Sequence, residues 1–283
     1  MQRRWCVLLV SVAACNAAFG NDPVSATDLR LLKPPIGVHA SCPPAPDFST
    51  WTVAPRVYAG LAGNSIHPTF LGDQHVAFGY QGALYEGDLD GAPVPIVGLD
   101  DMAGAELMSA AAAPGGDVFW YVRYANLGGG LYYAVRDGDH WVPHGADFPN
   151  VAYSIEPGTA AYYGSEVRMV ISLQASMSST FVLYELSSPD GVTWTNLGPL
   201  PFAAPAGTNF FDPALSVDGC VLVYAVENVG IEVALRGDDG TFEPPALFPH
   251  TEPYMDVAQP TLSPDESMVW FGTTDEGLFQ ATP

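Results

Sequence analysis

Seven polar residues carry most of the chemistry this sequence offers: Asn64, His67, Glu106, Glu156, Asn209, Asp212 and Asp256. Each stands at or just before the start of a short strand pattern, and they come from five separate stretches of chain. Carboxylates gathered from separate segments can hold a hard cation such as Ca²⁺ through oxygen. They can also act as the acid and base of glycoside cleavage when about 5–10 Å apart. We therefore take His67, Glu106, Glu156, Asp212 and Asp256 as the candidate ligand-binding residues, with no catalytic residue and no metal site assigned. Ca²⁺ is the one cofactor this acid set brings into view.

The elements that must position these residues are repeats. Five segments align without gaps: HPTFLGDQHVAFGY from His67, AAAAPGGDVFWYVR from Ala110, TAAYYGSEVRMVIS from Thr159, DPALSVDGCVLVYA from Asp212 and QPTLSPDESMVWFG from Gln259. Their starts are 43, 49, 53 and 47 residues apart. Each reads as a strand of small residues, a tight turn, then a strand apolar at nearly every position, the pattern of a strand buried on both faces. A third strand follows, beginning near Gly82, Gly130, Phe181, Gly230 and Gly277. Four of these run into glycine- and aspartate-rich turns and a fourth strand, Asp-Gly being a strong hairpin signal.

Four strands at this spacing match a β-propeller blade. The fifth repeat ends at Pro283, one strand short. Asp47-Phe48-Ser49-Thr50-Trp51 resembles the hairpin end Asp190-Gly191-Val192-Thr193-Trp194, so the strand from Phe48 to Tyr58 is expected to pair with the C-terminal strand. The expected fold is all-β: a single five-bladed propeller of four-stranded blades over residues 48–283, closed by an N-terminal strand.

Ahead of it, Arg3 and Arg4 precede an apolar run from Trp5 to Ala14, too short for the roughly 20 residues that span a bilayer. This reads as a secretory signal peptide over residues 1–20. Val12-Ala13-Ala14-Cys15 resembles a bacterial lipobox, with Cys15 as the lipidated residue, and Ala18-Phe19-Gly20 offers an ordinary cleavage site instead. Residues 21–47 carry six prolines and read as a linker. Of the four cysteines, Cys42 and Cys220 survive either cleavage and are a candidate disulfide in an oxidising compartment. Cys220 opens a second strand on the face where the closing strand also starts, and Cys42 lies six residues before Phe48, within reach.

Charge narrows the partners. At −22, with Lys33 as the only lysine, the chain repels nucleic-acid backbones and anionic membrane surfaces. The expected partner is a protein or polysaccharide, membrane association is through a lipid anchor only, and the chain is expected to be a monomer.

DPALSVDG and QPTLSPDE resemble the P-x-x-SPDG signature of the WD40-like, TolB-type propeller repeats of bacterial envelope proteins. The resemblance covers the last two repeats, and Asp265-Glu266 replaces the usual Asp-Gly. It implies a propeller at the cell envelope, with Asp218 and Asp265 as turn residues. SSPDGVTW from Ser187 similarly resembles the Asp-box of sugar-processing propellers, a hairpin stabiliser remote from the site. His140 and His144 share a strand face without a third ligand, and Asp88 to Gly91 lacks the rest of a calcium loop. The expected function is a non-enzymatic binding module outside the cytoplasm; the alternative is a five-bladed glycoside hydrolase using the mouth carboxylates.

Overall fold

The computed structural model describes residues 41–56, 65–80, 83–99, 106–125, 128–145, 154–177, 179–203, 205–249, 251, 257–273 and 277–283. The expected signal peptide with Cys15, most of the expected linker, Asn64 and Asp256 lie outside them. A 3-10 turn, Phe48–Thr50, is followed by β1 (Thr52–Arg56). Next come β2 (Ser65–Phe70), β3 (His75–Tyr80), β4 (Ala83–Asp88) and β5 (Val94–Pro95). A second unit comprises β6 (Glu106–Ala112), β7 (Val118–Ala125), β8 (Gly128–Asp137) and β9 (His140–Gly145). The third is β10 (Ser154–Tyr163), β11 (Glu166–Gln174), β12 (Phe181–Ser188) and β13 (Thr195–Pro199). The fourth is β14 (Phe210–Leu215), β15 (Val221–Val226), β16 (Gly230–Leu235) and β17 (Ala246–Leu247), and the last is β18 (Val257–Leu262), β19 (Val269–Thr273) and β20 (Gly277–Thr282).

Within each unit the strands pair antiparallel in chain order. The third and fourth units are joined by one parallel bridge, Thr159 to Ala214. The last unit takes its outer strand from the N-terminus: β1 pairs β20 from Thr52↔Thr282 to Arg56↔Leu278. Pro55 is tolerated there because β1 is the sheet's edge. The sequence reading extends that strand back to Phe48, but Asp47 instead caps the 3-10 turn, its side chain accepting from the Ser49 N–H. The turn places Trp51, 1% exposed, under the sheet.

Second strands are mostly apolar because they have a neighbour on both faces. Along β15 every residue is buried. Val221 and Val223 face a core shared with the last unit, while Leu222, Tyr224 and Val226 face one shared with the third. Similar cores join the first unit to the second, the second to the third, and the first to the last. In the second, third and fourth units the aromatic after the outer hairpin completes them, Trp141, Trp194 and Phe242, and Trp51 does so from the N-terminus; all four are buried.

Every first strand carries a bulge at the same place, between Ile66/Thr69, Met108/Ala111, Pro157/Ala160, Phe211/Ala214 and Ala258/Thr261. The register corrects the gapless alignment. The structural equivalents of His67, Asp212 and Gln259 are Ser109 and Gly158, one residue before the Ala110 and Thr159 that the sequence aligned. The first unit's turn, Phe70 to Val76, is a residue shorter than those of the other four units, so one gapless frame matches its second strand to the second and third units but its first strand to the fourth and fifth. Gly158 is required for space: a Cβ there would lie 2.3 Å from the Val170 carbonyl oxygen and 2.4 Å from that of Pro213.

Cys42 and Cys220 form a disulfide, Cα atoms 5.4 Å apart, tying the segment before β1 to the base of the fourth unit. Packing thus begins before residue 48, since Ala45 also lies against the core of the last two units.

Candidate functional site

Each first strand lies against the next, β2 on β6, β6 on β10, β10 on β14, β14 on β18, and β18 on β2. At three of the bulges the first residue, His67, Asp212 or Gln259, lines the space between the strands. His67, Asp212 and Gln259 each precede a proline, and each has a left-handed backbone, with φ of 54°, 49° and 69°. Non-glycine residues pay of order 1–3 kcal/mol for such conformations, which persist where surrounding contacts hold them.

Those contacts run across the axis. His67 Nδ1 lies 3.0 Å from Asp212 Oδ1, with both side chains 9% exposed. The His67 backbone N–H donates to Gln259 Oε1, and Gln259 Nε2 lies 3.3 Å from His67 Nε2. The Asp212 N–H points to Glu156 Oε2 at 3.4 Å. Residues from the first, third, fourth and last units therefore meet as one polar cluster. Burial first, and the Asp212 carboxylate second, push the Glu156 carboxyl well above its ordinary value of 4.5.

The space this cluster leaves is small. All five first strands contribute to it, and it holds 20 Å³, enough for about one water by the usual volume criterion. A second axial space of 40 Å³ lies further along, lined by Phe70, Ala112, Thr159, Leu215 and Leu262 among others. Neither admits a sugar ring.

Of the sequence candidates, the structure brings together His67, Glu156 and Asp212. Glu106 opens β6, where its backbone pairs with Tyr124, and Asp256 lies outside the described residues. Asn209 turns to the chain beside it, accepting from the Phe181 N–H and donating to Glu227 Oε2 at 2.7 Å. Gln259 was missed, although the sequence held its signal: His-Pro, Asp-Pro and Gln-Pro occupy one aligned position. Among the described residues no group of three or more His, Cys, Asp or Glu side chains is placed to hold a metal ion.

The motif acids serve turns. Asp218 Oδ1 accepts from Ser216 Oγ and the Cys220 N–H; Asp265 Oδ1 accepts from Ser263 Oγ and the Ser267 N–H. Asp190 accepts from the Val192 and Thr193 N–H groups, folding the hairpin that buries Trp194. His140 pairs with Asp139 at the surface, whereas His144 stacks on Tyr133. Asp88 receives His75 Nδ1 at 2.9 Å.

No protein-family model matches the sequence, and no curated protein matches it. Solved structures do. Fructan 1-exohydrolase IIa from Cichorium intybus is similar with a TM-score of 0.54 and 12% identity, over 77% of this chain and 54% of that one. Sucrose-6-phosphate hydrolase from Lactobacillus gasseri gives 0.53 and 14%, over 77% and 58%. The fold is that of a β-propeller. TolB from Acinetobacter baumannii is a further, more distant likeness, at 0.46 and 13%, over 78% of this chain and 55% of that one. The chain thus spans little more than half the length of each. At such identities the propeller architecture is shared, and nothing about its mouth is transferred.

Glu156 supplies a test of the cluster. Its raised native pKa means the folded propeller keeps a proton that the unfolded chain has lost above about pH 4.5. The stability it contributes is complete below the unfolded value and is lost as pH rises toward the native one. Glu156→Gln, neutral at every pH, should melt with the wild type near pH 4 and a few degrees above it at pH 8. Parallel melting curves across that range would remove Glu156 from the account.

Proposed function

We propose that the chain is a five-bladed propeller, its ring sealed by β1 on β20, acting outside the cytoplasm as a non-enzymatic binding module for a protein or polysaccharide. The observation that carries this reading is the state of the mouth. His67, Asp212, Gln259 and Glu156 engage one another, and the remaining 20 Å³ holds no saccharide. Recognition then falls to the outer surface. The Cys42–Cys220 bridge supports an oxidising compartment, and the leader, with Cys15 as its lipid anchor, supports the bacterial envelope. Among the described residues no helix is long and apolar enough to cross a membrane.

One observation favours the alternative, glycoside hydrolysis. A carboxyl held protonated by burial beside a second carboxylate is what a general acid needs, and Glu156 and Asp212 have that relation. Hydrolysis also needs a substrate ring between or beside the two groups, and here a backbone N–H of one residue contacts the carboxylate of the other. The deciding experiment assays the mature chain against a panel of aryl glycosides and, immobilised, against a glycan array. The expected result is no turnover, with any glycan binding unchanged in Glu156→Gln. Turnover by the wild type that disappears in both Glu156→Gln and Asp212→Asn would replace the binding module with a hydrolase.

A further inference from the structure

Three threonines stand on the first strands: Thr69, Thr159 and Thr261. Two of them bond directly to the next first strand. Thr69 Oγ1 accepts from the Ala112 N–H at 2.9 Å, across the junction of the first and second units. Thr159 Oγ1 accepts from the Leu215 N–H at 2.7 Å and donates to the Leu215 carbonyl at 2.8 Å, across that of the third and fourth. Thr261 holds the place of Thr69 in the last unit, since each is the first paired residue after its strand's bulge. Yet Thr261 is 1% exposed, and its hydroxyl oxygen has no hydrogen-bond partner among the described residues. Buried hydroxyls in folded proteins are nearly always bonded, to protein or to ordered water.

Asp212 holds a second orphan. Its Oδ1 lies at ion-pair distance from His67 Nδ1, but no hydrogen bond reaches that oxygen among the described residues. The Asp212 side chain is 9% exposed. Asp212 and Thr261 come from adjacent units and line the same axial space of 20 Å³. A space of that size takes about one sphere as large as a water molecule, so any occupant sits against both residues.

The lining selects the occupant. Pro68, Pro157, Pro213 and Pro260 contribute to it, and proline has no N–H to offer. The wall is therefore poor in donors, which excludes an anion beside the Asp212 carboxylate. A hard cation such as Ca²⁺ takes six to eight oxygen ligands, and the described residues place no group of three or more His, Cys, Asp or Glu side chains to hold one. A water needs two to four polar partners and can donate and accept at once. Asp212 Oδ1 accepts, and the Thr261 hydroxyl is free to donate. We propose that the axial space is the site of one resident water, which donates to Asp212 Oδ1 and accepts from Thr261 Oγ1. It ties the fourth unit to the last at the axis, as Thr69 and Thr159 tie their own neighbours directly. Recognition at the outer surface does not rest on it, because the space is too small for a saccharide whether or not a water fills it.

Two measurements on the mature chain test it. A high-resolution crystal structure should show one oxygen within about 3.0 Å of both Asp212 Oδ1 and Thr261 Oγ1. Empty density there overturns the proposal. So does an anomalous peak at the axis after a rubidium chloride soak, which would make the space a monovalent-cation site. In solution, oxygen-17 relaxation dispersion counts long-lived waters. Thr261→Val keeps the volume and removes the hydroxyl, and should lose one water from the count; Thr261→Ser keeps the hydroxyl and should retain it. Equal counts in wild type and Thr261→Val overturn the proposal. Should Thr261→Val fail to fold, the wild-type density decides alone.

Discussion

Removal of residues 42–56 should abolish cooperative unfolding at the wild-type temperature, and Trp51→Ala alone should cost about 3–5 kcal/mol. Trp51 is 1% exposed and packs edge-on to Phe248 at 5.8 Å and against Phe48 at 5.1 Å. It belongs to the core that joins the last two units, so its loss leaves a cavity between sheets. The deletion removes more. β20 loses its five paired positions on β1 and becomes an open edge. The disulfide, which spans 178 residues of sequence, goes with it, removing a further contribution of about 2–4 kcal/mol. For a chain of this size each kcal/mol moves the melting temperature by about 2–4 °C. Trp51→Ala is therefore expected to melt about 6–20 °C low in a calorimeter. A deletion variant that still melts cooperatively within about 2 °C of the full chain would show that β1 is an accessory to the last unit.

Arg236→Ala should destabilise by about 3–5 kcal/mol, the range for breaking a buried ion pair from one side. The Arg236 side chain has no solvent exposure, and its planar group lies 4.1 Å from the Phe242 ring and 4.6 Å from the Tyr163 ring. It donates to two carbonyls of its own unit and to Glu185 of the third unit, so one side chain fixes the angle between neighbours. Alanine strips these partners and leaves buried carbonyls without donors. Arg168, 3.3 Å from Glu185, retains part of that carboxylate's neutralisation, which places the expectation toward the lower end. Urea unfolding followed by tryptophan emission measures it directly. A loss under about 1 kcal/mol would mean that neither the hydrogen bonds nor the ring contacts of Arg236 hold this junction. Arg136, on Glu86 at 2.7 Å and over Trp141 at 4.3 Å, repeats the arrangement between the first and second units.

How far the sequence reached is visible in particular residues. The five repeats, the burial of β15 on both faces and the aromatic after the outer hairpins of the second, third and fourth units follow from local chemistry, because period, turn residues and apolar runs act over a few positions. So does the hairpin likeness that singled out Trp51 as part of a displaced outer strand. Chain reach was enough to pair Cys42 with Cys220 as candidates. Frame was not legible: a one-residue difference in a turn is invisible to a gapless alignment, yet it moves the bulge from Ala110 to Ser109 and from Thr159 to Gly158.

The site shows the same division. Sequence position determined that His67, Glu156 and Asp212 stand near the starts of first strands, and composition determined that the chain is acidic and poor in lysine. Only the tertiary structure decided that three of these residues touch, that Gln259 joins them, and that the space they leave among the described first strands is 20 Å³. The reason is physical: whether acids from separate strands converge depends on bulges and left-handed φ values that aim single side chains, and these are set by packing between units. The same packing decides that the Arg236 guanidinium lies inside, on Glu185 of the neighbouring unit.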